Sequence, residues 1–205
     1  MRLVRLLLVP VLLAGLTASC RRPKSGSPAD GRLVGGLYTN LYFNFTVGIP
    51  AGWSVGELKT TTAPLPGSTR VPSMNPQAAA HQLLMASEHP VARGIANNPS
   101  LLVMAEKAAA VPGVKNAKDY LARISQMMTD SPLAYRPING IADVQLGGIP
   151  AVRLDFSAQL NKQKTGRQGY LVCQRDQYML SFILSGPTDA EIKRLEQLLQ
   201  TVKFY

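Results

Sequence analysis

GIADVQLGGIPAVRLDFSA, residues 140–158, decides the fold. Two alternating runs flank Gly147-Gly148, a dipeptide suited to a tight hairpin because both of its residues accept positive φ. In the second run Val152, Leu154, Phe156 and Ala158 share one face, and Arg153, Asp155 and Ser157 share the other. That two-residue period predicts strands buried on one side and joined antiparallel.

The same pattern continues outward. YLVCQRDQYMLSFIL, residues 170–184, predicts a second hairpin turning near Arg175-Asp176-Gln177, after a polar loop NKQKTGRQG at 161–169. TDAEIKRLEQLLQTV, residues 188–202, changes to a helical period: Thr188 and Glu191 form a capping-box pattern, and Ile192, Leu195, Leu198, Leu199 and Val202 form an apolar stripe. Upstream, NAKDYLARISQMM at 116–128 predicts another amphipathic helix. Asn116 is placed to cap it, and Ala117, Tyr120, Leu121, Ile124, Met127 and Met128 fall on one face at three- and four-residue steps. HQLLMASEH (81–89) and SLLVMAEKA (100–108) read as two strands. LYTNLYFNFTVGIPAGWSVGE (37–57) reads as a strand on which Phe43, Phe45 and Val47 alternate with Asn44 and Thr46, then a Pro-Gly turn and a strand starting at Trp53. Residues 60–80 hold four prolines and no period, which predicts a long loop. These elements predict an α+β fold, an antiparallel sheet of roughly six to eight strands flanked by amphipathic helices.

The N-terminus supplies an address. Arg2 and Arg5 precede an apolar run from Leu6 to Leu16, followed by small residues, the layout of an export signal. The run falls short of the ~20 apolar residues that a spanning helix needs. The expected organisation is a signal peptide at 1–19, a flexible basic tether at 20–36 and an α+β domain at 37–205. The formal charge of +10 favours anionic lipid or other acidic envelope polymers. It is spread thinly along the chain, and no stacking platform of aromatic and basic residues points to nucleic acid.

No stretch declares a reaction. His81 and His89 are the only histidines, eight residues apart and with no metal-ligand spacing around them. Glu57, Glu88, Glu106, Asp119, Asp143 and Asp155 are scattered, and no nucleophile elbow is present. Cys173 sits mid-strand among apolar residues and reads as a buried thiol. Tyr38, Tyr42, Phe43 and Trp53 are weighed as an aromatic pocket or as core, and core packing is the expectation. Asn44-Phe45-Thr46 matches a glycosylation sequon by chance.

Two stretches carry a family resemblance. LTASC at 16–20 resembles the lipobox of bacterial lipoproteins, with Thr17 where that motif usually has Leu. The resemblance implies cleavage before Cys20 and a diacylglycerol on its sulfur; ordinary secretion, with Cys20 paired to Cys173, is the alternative. YTNLYFNFTVGIPAGWSV, together with GGIPAVRLDF and the closing YMLSFILSGPTDAEIKRLEQLLQTVKF, resembles PsbP-like domains, including DcrB-type envelope lipoproteins. This implies an antiparallel sheet between helices (an α/β/α sandwich) and a tendency to act as a binding or assembly module, with no catalytic, cofactor or metal residue to carry over. The expected function is a non-enzymatic envelope lipoprotein, anchored to membrane lipid through acylated Cys20 and binding an envelope protein, with no nucleic acid partner. The alternatives are an envelope hydrolase with a dispersed active site, or a small-ligand carrier linked to transport with 60–80 as its lid.

Overall fold

The computed structural model describes residues 27–56, 80–90, 98–131, 135–159 and 165–205. In chain order, β1 (Gly31–Val34), β2 (Leu37–Asn40) and β3 (Phe45–Gly48) come first. Then follow β4 (Ser54–Val55), β5 (His81–Ser87), β6 (Ser100–Lys107) and α1 (Ala117–Thr129). β7 (Arg136–Pro137), β8 (Ala142–Leu146), β9 (Ile149–Gln159), β10 (Thr165–Arg175) and β11 (Tyr178–Gly186) precede α2 (Asp189–Leu199) and β12 (Lys203–Phe204).

The Gly147-Gly148 hairpin forms as its sequence demands. Both glycines have positive φ (58° and 85°), and the turn pairs Leu146 with Ile149. Antiparallel pairing then propagates from β9 to β10, β11, β6, β5 and β4, with β7 and β8 on the other side of β9. The hairpin joining β10 to β11 turns at Asp176, a non-glycine residue at φ 53°.

Two faces of this eight-stranded sheet acquire different covers. Val152, Leu154, Phe156 and Ala158 point to one side and bury against Tyr120, Leu121, Ile124 and Met128 of α1. Asn116 caps that helix, its Oδ1 accepting from the Asp119 amide at 2.9 Å. The opposite face meets α2 and a second sheet, four-stranded, in the order β1-β2-β3-β12. Phe45 of this small sheet meets Phe182 of the large one edge-to-face, with centroids 5.5 Å apart, an arrangement worth ~0.5–1.5 kcal/mol beyond the area it buries. α2 begins at Thr188, whose Oγ1 accepts from the Glu191 amide at 3.2 Å.

Four expectations need correction. The single sheet is two sheets, because the β2–β3 hairpin pairs with β12 from the far end of the chain rather than with β4. The tether read at 20–36 is folded from Gly31: β1 pairs along β2, and Asn40 Nδ2 donates to Pro28 O at 2.9 Å. The polar loop read at 161–169 is strand from Thr165, because Gly166 and Gln168 sit inward while Arg167 keeps its charge in contact with an acid. The Phe43 alternation is interrupted by a turn at 41–44, in which Asn44 takes φ 53° and Asn40 Oδ1 accepts from the Phe43 amide. The α+β class holds, with more sheet and less helix than an even α/β/α sandwich: twelve strands and two α-helices are described.

Candidate functional site

Cys20 and the 60–79 part of the long loop lie outside the described residues, as does Glu57. His81 opens β5, where burial, and then the Lys107 charge, lower its pKa; its ring lies 6.3 Å from that of Tyr178. His89 lies past the other end of the strand and uses its backbone, with its amide on Asn98 and its carbonyl accepting from Ser87. Cys173 is fully buried, and burial pushes its thiol up to about 12. Tyr38 and Phe43 belong to the core, with Tyr42 and Trp53 packed against it. The remaining acids are engaged. Glu88 accepts from Arg194, which holds its pKa down; Asp143 pairs with Lys118; Asp119 accepts from the Lys115 amide; and Glu106 accepts from the buried Tyr120 hydroxyl at 2.9 Å. Among the described residues no group of three or more His, Cys, Asp or Glu gathers as a metal site.

The structure does assemble one constellation that periodicity alone leaves unlinked. Arg153 and Asp155, neighbours on the outward-reading face of β9, lie beneath α2. Arg153 Nε bonds both Asp155 oxygens at 3.0 Å, and its Nη2 reaches Glu196 of α2 at 2.5 Å. Burial alone would lower the Arg153 pKa, but the hydrogen bonds it donates to Asp155 and Glu196 outweigh it and hold the guanidinium charged. Asp155 also accepts from Asn139 Nδ2 at 2.9 Å. Across the strand pair stands Gly169, opposite Asp155. A Cβ there would lie 2.9 Å from Asp155 Oδ1, so the missing side chain makes room for the carboxylate. On β10, Arg167 Nε binds Asp189 in the first turn of α2 at 2.6 Å.

These residues border a groove of about 190 Å³ between α2 and the β9–β10 strands, with Ile138 and Ile192 as apolar walls and Lys193 at its rim. Asp155, Glu196 and Asp189 each hold a guanidinium, so none stands free as a general base. Lys193 has no ion pair among the described residues, and Ile138 is 53% exposed. The groove therefore offers one cation and an apolar wall on a prearranged ionic floor. No motif in the sequence marks it; the alternation of Arg153 and Asp155 predicted their shared face but not the helix that covers it.

Layers, topology and strand order define an α+β domain, and its fold is PsbP-like. The solution structure of cyanobacterial PsbP (CyanoP) from Synechocystis sp. PCC 6803 matches with a TM-score of 0.52 and 16% identity, covering 93% of this chain and 100% of that one. LpqN, involved in cell envelope biogenesis of Mycobacterium tuberculosis, matches at TM-score 0.42 and 16% identity over 78% of this chain and 82% of its own. A protein of unknown function from Pseudomonas aeruginosa, PA94, matches at 0.36 and 16% over 74% and 83%. No family model and no curated protein matches the sequence. At this identity the likeness to CyanoP establishes the fold and leaves function to the site.

Proposed function

We propose that this protein is an exported module of a bacterial cell envelope, held at a membrane by a lipid on Cys20, that binds another envelope protein without catalysing a reaction. The groove under α2 carries this reading. Its carboxylates are committed to guanidinium partners, which suits a fixed recognition surface better than proton transfer. At about 190 Å³ it is smaller than the roughly 300–1,000 Å³ of most small-molecule pockets, which favours a docked side chain over a carried ligand. The recognised element is a segment presenting a carboxylate to Lys193 and an apolar residue to Ile138. Export and anchoring rest on the apolar run before Cys20 and the basic residues after it. Among the described residues no helix is long and apolar enough to cross a membrane.

Two experiments test the reading. Metabolic labelling with a lipid precursor is expected to mark the wild type and not Cys20→Ala; an unlabelled wild type overturns the anchor. A photocrosslinker replacing Ile138 in intact cells is expected to give a discrete adduct that Lys193→Glu abolishes. The same adducts from a crosslinker at Ala122, on the exposed side of α1, would overturn the groove as the binding site.

A further inference from the structure

Exposed apolar side chains are not spread evenly over this molecule. Of the six large ones among the described residues, Leu33, Val34, Leu37, Leu41 and Tyr205 belong to the small sheet or its flanks; only Ile138 lies elsewhere. The pairing register shows which of them share a face. Cross-strand partners lie on the same side of a sheet, so Arg32, Thr39, Thr46 and Lys203 form one row across β1, β2, β3 and β12. Val34, Leu37 and Gly48 form the next. Tyr205 lies across this surface, its hydroxyl 3.2 Å from Thr46 Oγ1, with 75% of the residue exposed. The other face, carrying Tyr38, Phe45 and Val47, is buried in the core.

The outer face thus bears two cations, two aliphatic side chains and a tyrosine, with no side-chain carboxylate at any of these register positions. Arg32 and Lys203 make no ion pair among the described residues. Asp30, one residue before the sheet, is turned to the Ser27 amide at 2.6 Å. An exposed apolar patch beside a row that ends in a cation on either edge, Arg32 and Lys203, and carrying a tyrosine fits the interface of an anionic bilayer, where aliphatic groups enter the headgroup boundary and cations stay at the phosphates.

We propose that the outer face of the four-stranded sheet is the surface on which the domain rests against an anionic membrane. This rests on the lipid anchor proposed above, which makes the contact intramolecular. Ten residues separate Cys20 from Gly31, eleven Cα steps that reach at most about 40 Å when extended, and Arg21, Arg22 and Lys24 add charge of the same sign along it. The groove under α2 is lined by residues of β9, β10 and α2 and by Ile138, none of them on this face.

The test places a polarity-sensitive fluorophore on full-length, lipidated protein at Val34→Cys, with Ala122→Cys on α1 as the distal control. Cys173 is buried and takes no label. On vesicles of phosphatidylglycerol and phosphatidylcholine the probe at 34 is expected to shift to the blue and the probe at 122 to stay aqueous. Vesicles of phosphatidylcholine alone, or high salt, should reverse the shift. Arg32→Gln and Lys203→Gln should each lower the docked-to-free ratio roughly five-fold. An aqueous probe at 34 on protein that pellets with the vesicles overturns this face while leaving the anchor standing. Protein that carries no lipid yet shifts at 34 on added anionic vesicles overturns the anchor and leaves the face. A shift that grows with protein concentration in the absence of vesicles overturns the proposal in favour of a second copy pairing along β1.

Discussion

Glu106 sits 4% exposed on β6 with one carboxyl oxygen on the Tyr120 hydroxyl and the other, Oε1, without a partner among the described residues. Burial raises its pKa more than the tyrosine hydrogen bond lowers it. The fold therefore favours the neutral acid, and that preference is fully present below the ordinary glutamate value of about 4.3. It is lost as pH rises through the raised value. The chain is expected to lose stability over that window, and Glu106→Gln to flatten the loss; denaturant unfolding at a series of pH values checks it. Cys173 supports a second residue-level prediction. With its thiol buried and raised to about 12, native lipidated protein should give no titre with an aromatic disulfide reagent, and unfolded protein should give that of Cys173 alone. A titre in the native state would mean that Cys20 carries a free sulfur or that Cys173 is open to solvent. The inert thiol was legible from its apolar neighbours in sequence. The Glu106–Tyr120 contact was not, because it joins a strand to a helix that no local pattern aligns.

At the scale of elements, the helices are the best-read parts of the chain. Three- and four-residue spacing named the buried stripe of α2, and its capping hydroxyl was visible in Thr188. Thr188→Ala is expected to cost ~1 kcal/mol, measurable by chemical denaturation. The setting of that helix against the sheet is a different matter. Arg153–Glu196, Arg167–Asp189 and Glu88–Arg194 tie it to β9, β10 and the end of β5, yet such part-exposed pairs contribute little stability each. Their role is registration. Gly169→Ala should test it: the new Cβ meets Asp155 Oδ1 and costs ~1–3 kcal/mol through overpacking, while disturbing the Arg153 pair that floors the groove. Retention of wild-type stability and of the Ile138 crosslink would show that the close approach there is dispensable. The polar stretch 161–169 was misread for a related reason. Its strand is stabilised by neighbours on both sides, not by its own composition, as β-propensity depends on context.

Across the whole molecule, the large sheet separates two cores, one under α1 and one shared by α2 and the small sheet. Ile124→Ala and Leu195→Ala remove buried side chains on opposite sides, and each is expected to cost ~2–5 kcal/mol. Because the two belong to separate clusters, their combined effect should equal the sum to within about 0.5 kcal/mol; a larger discrepancy in thermal or denaturant unfolding would mean that the sheet transmits strain between the layers. By itself the sequence determined the turns at Gly147-Gly148 and Arg175-Asp176-Gln177, the strands flanking them, both helices and the α+β class, because each depends on backbone sterics and side-chain period within a few residues. Only the tertiary structure decided that β1 and β12 complete a second sheet, that Arg153 and Asp155 face a groove, and that exposed Val34 and Leu37 share one surface with Arg32 and Lys203. Those outcomes depend on which apolar faces, distant along the chain, bury one another, and burial is a property of the assembled layers rather than of any segment.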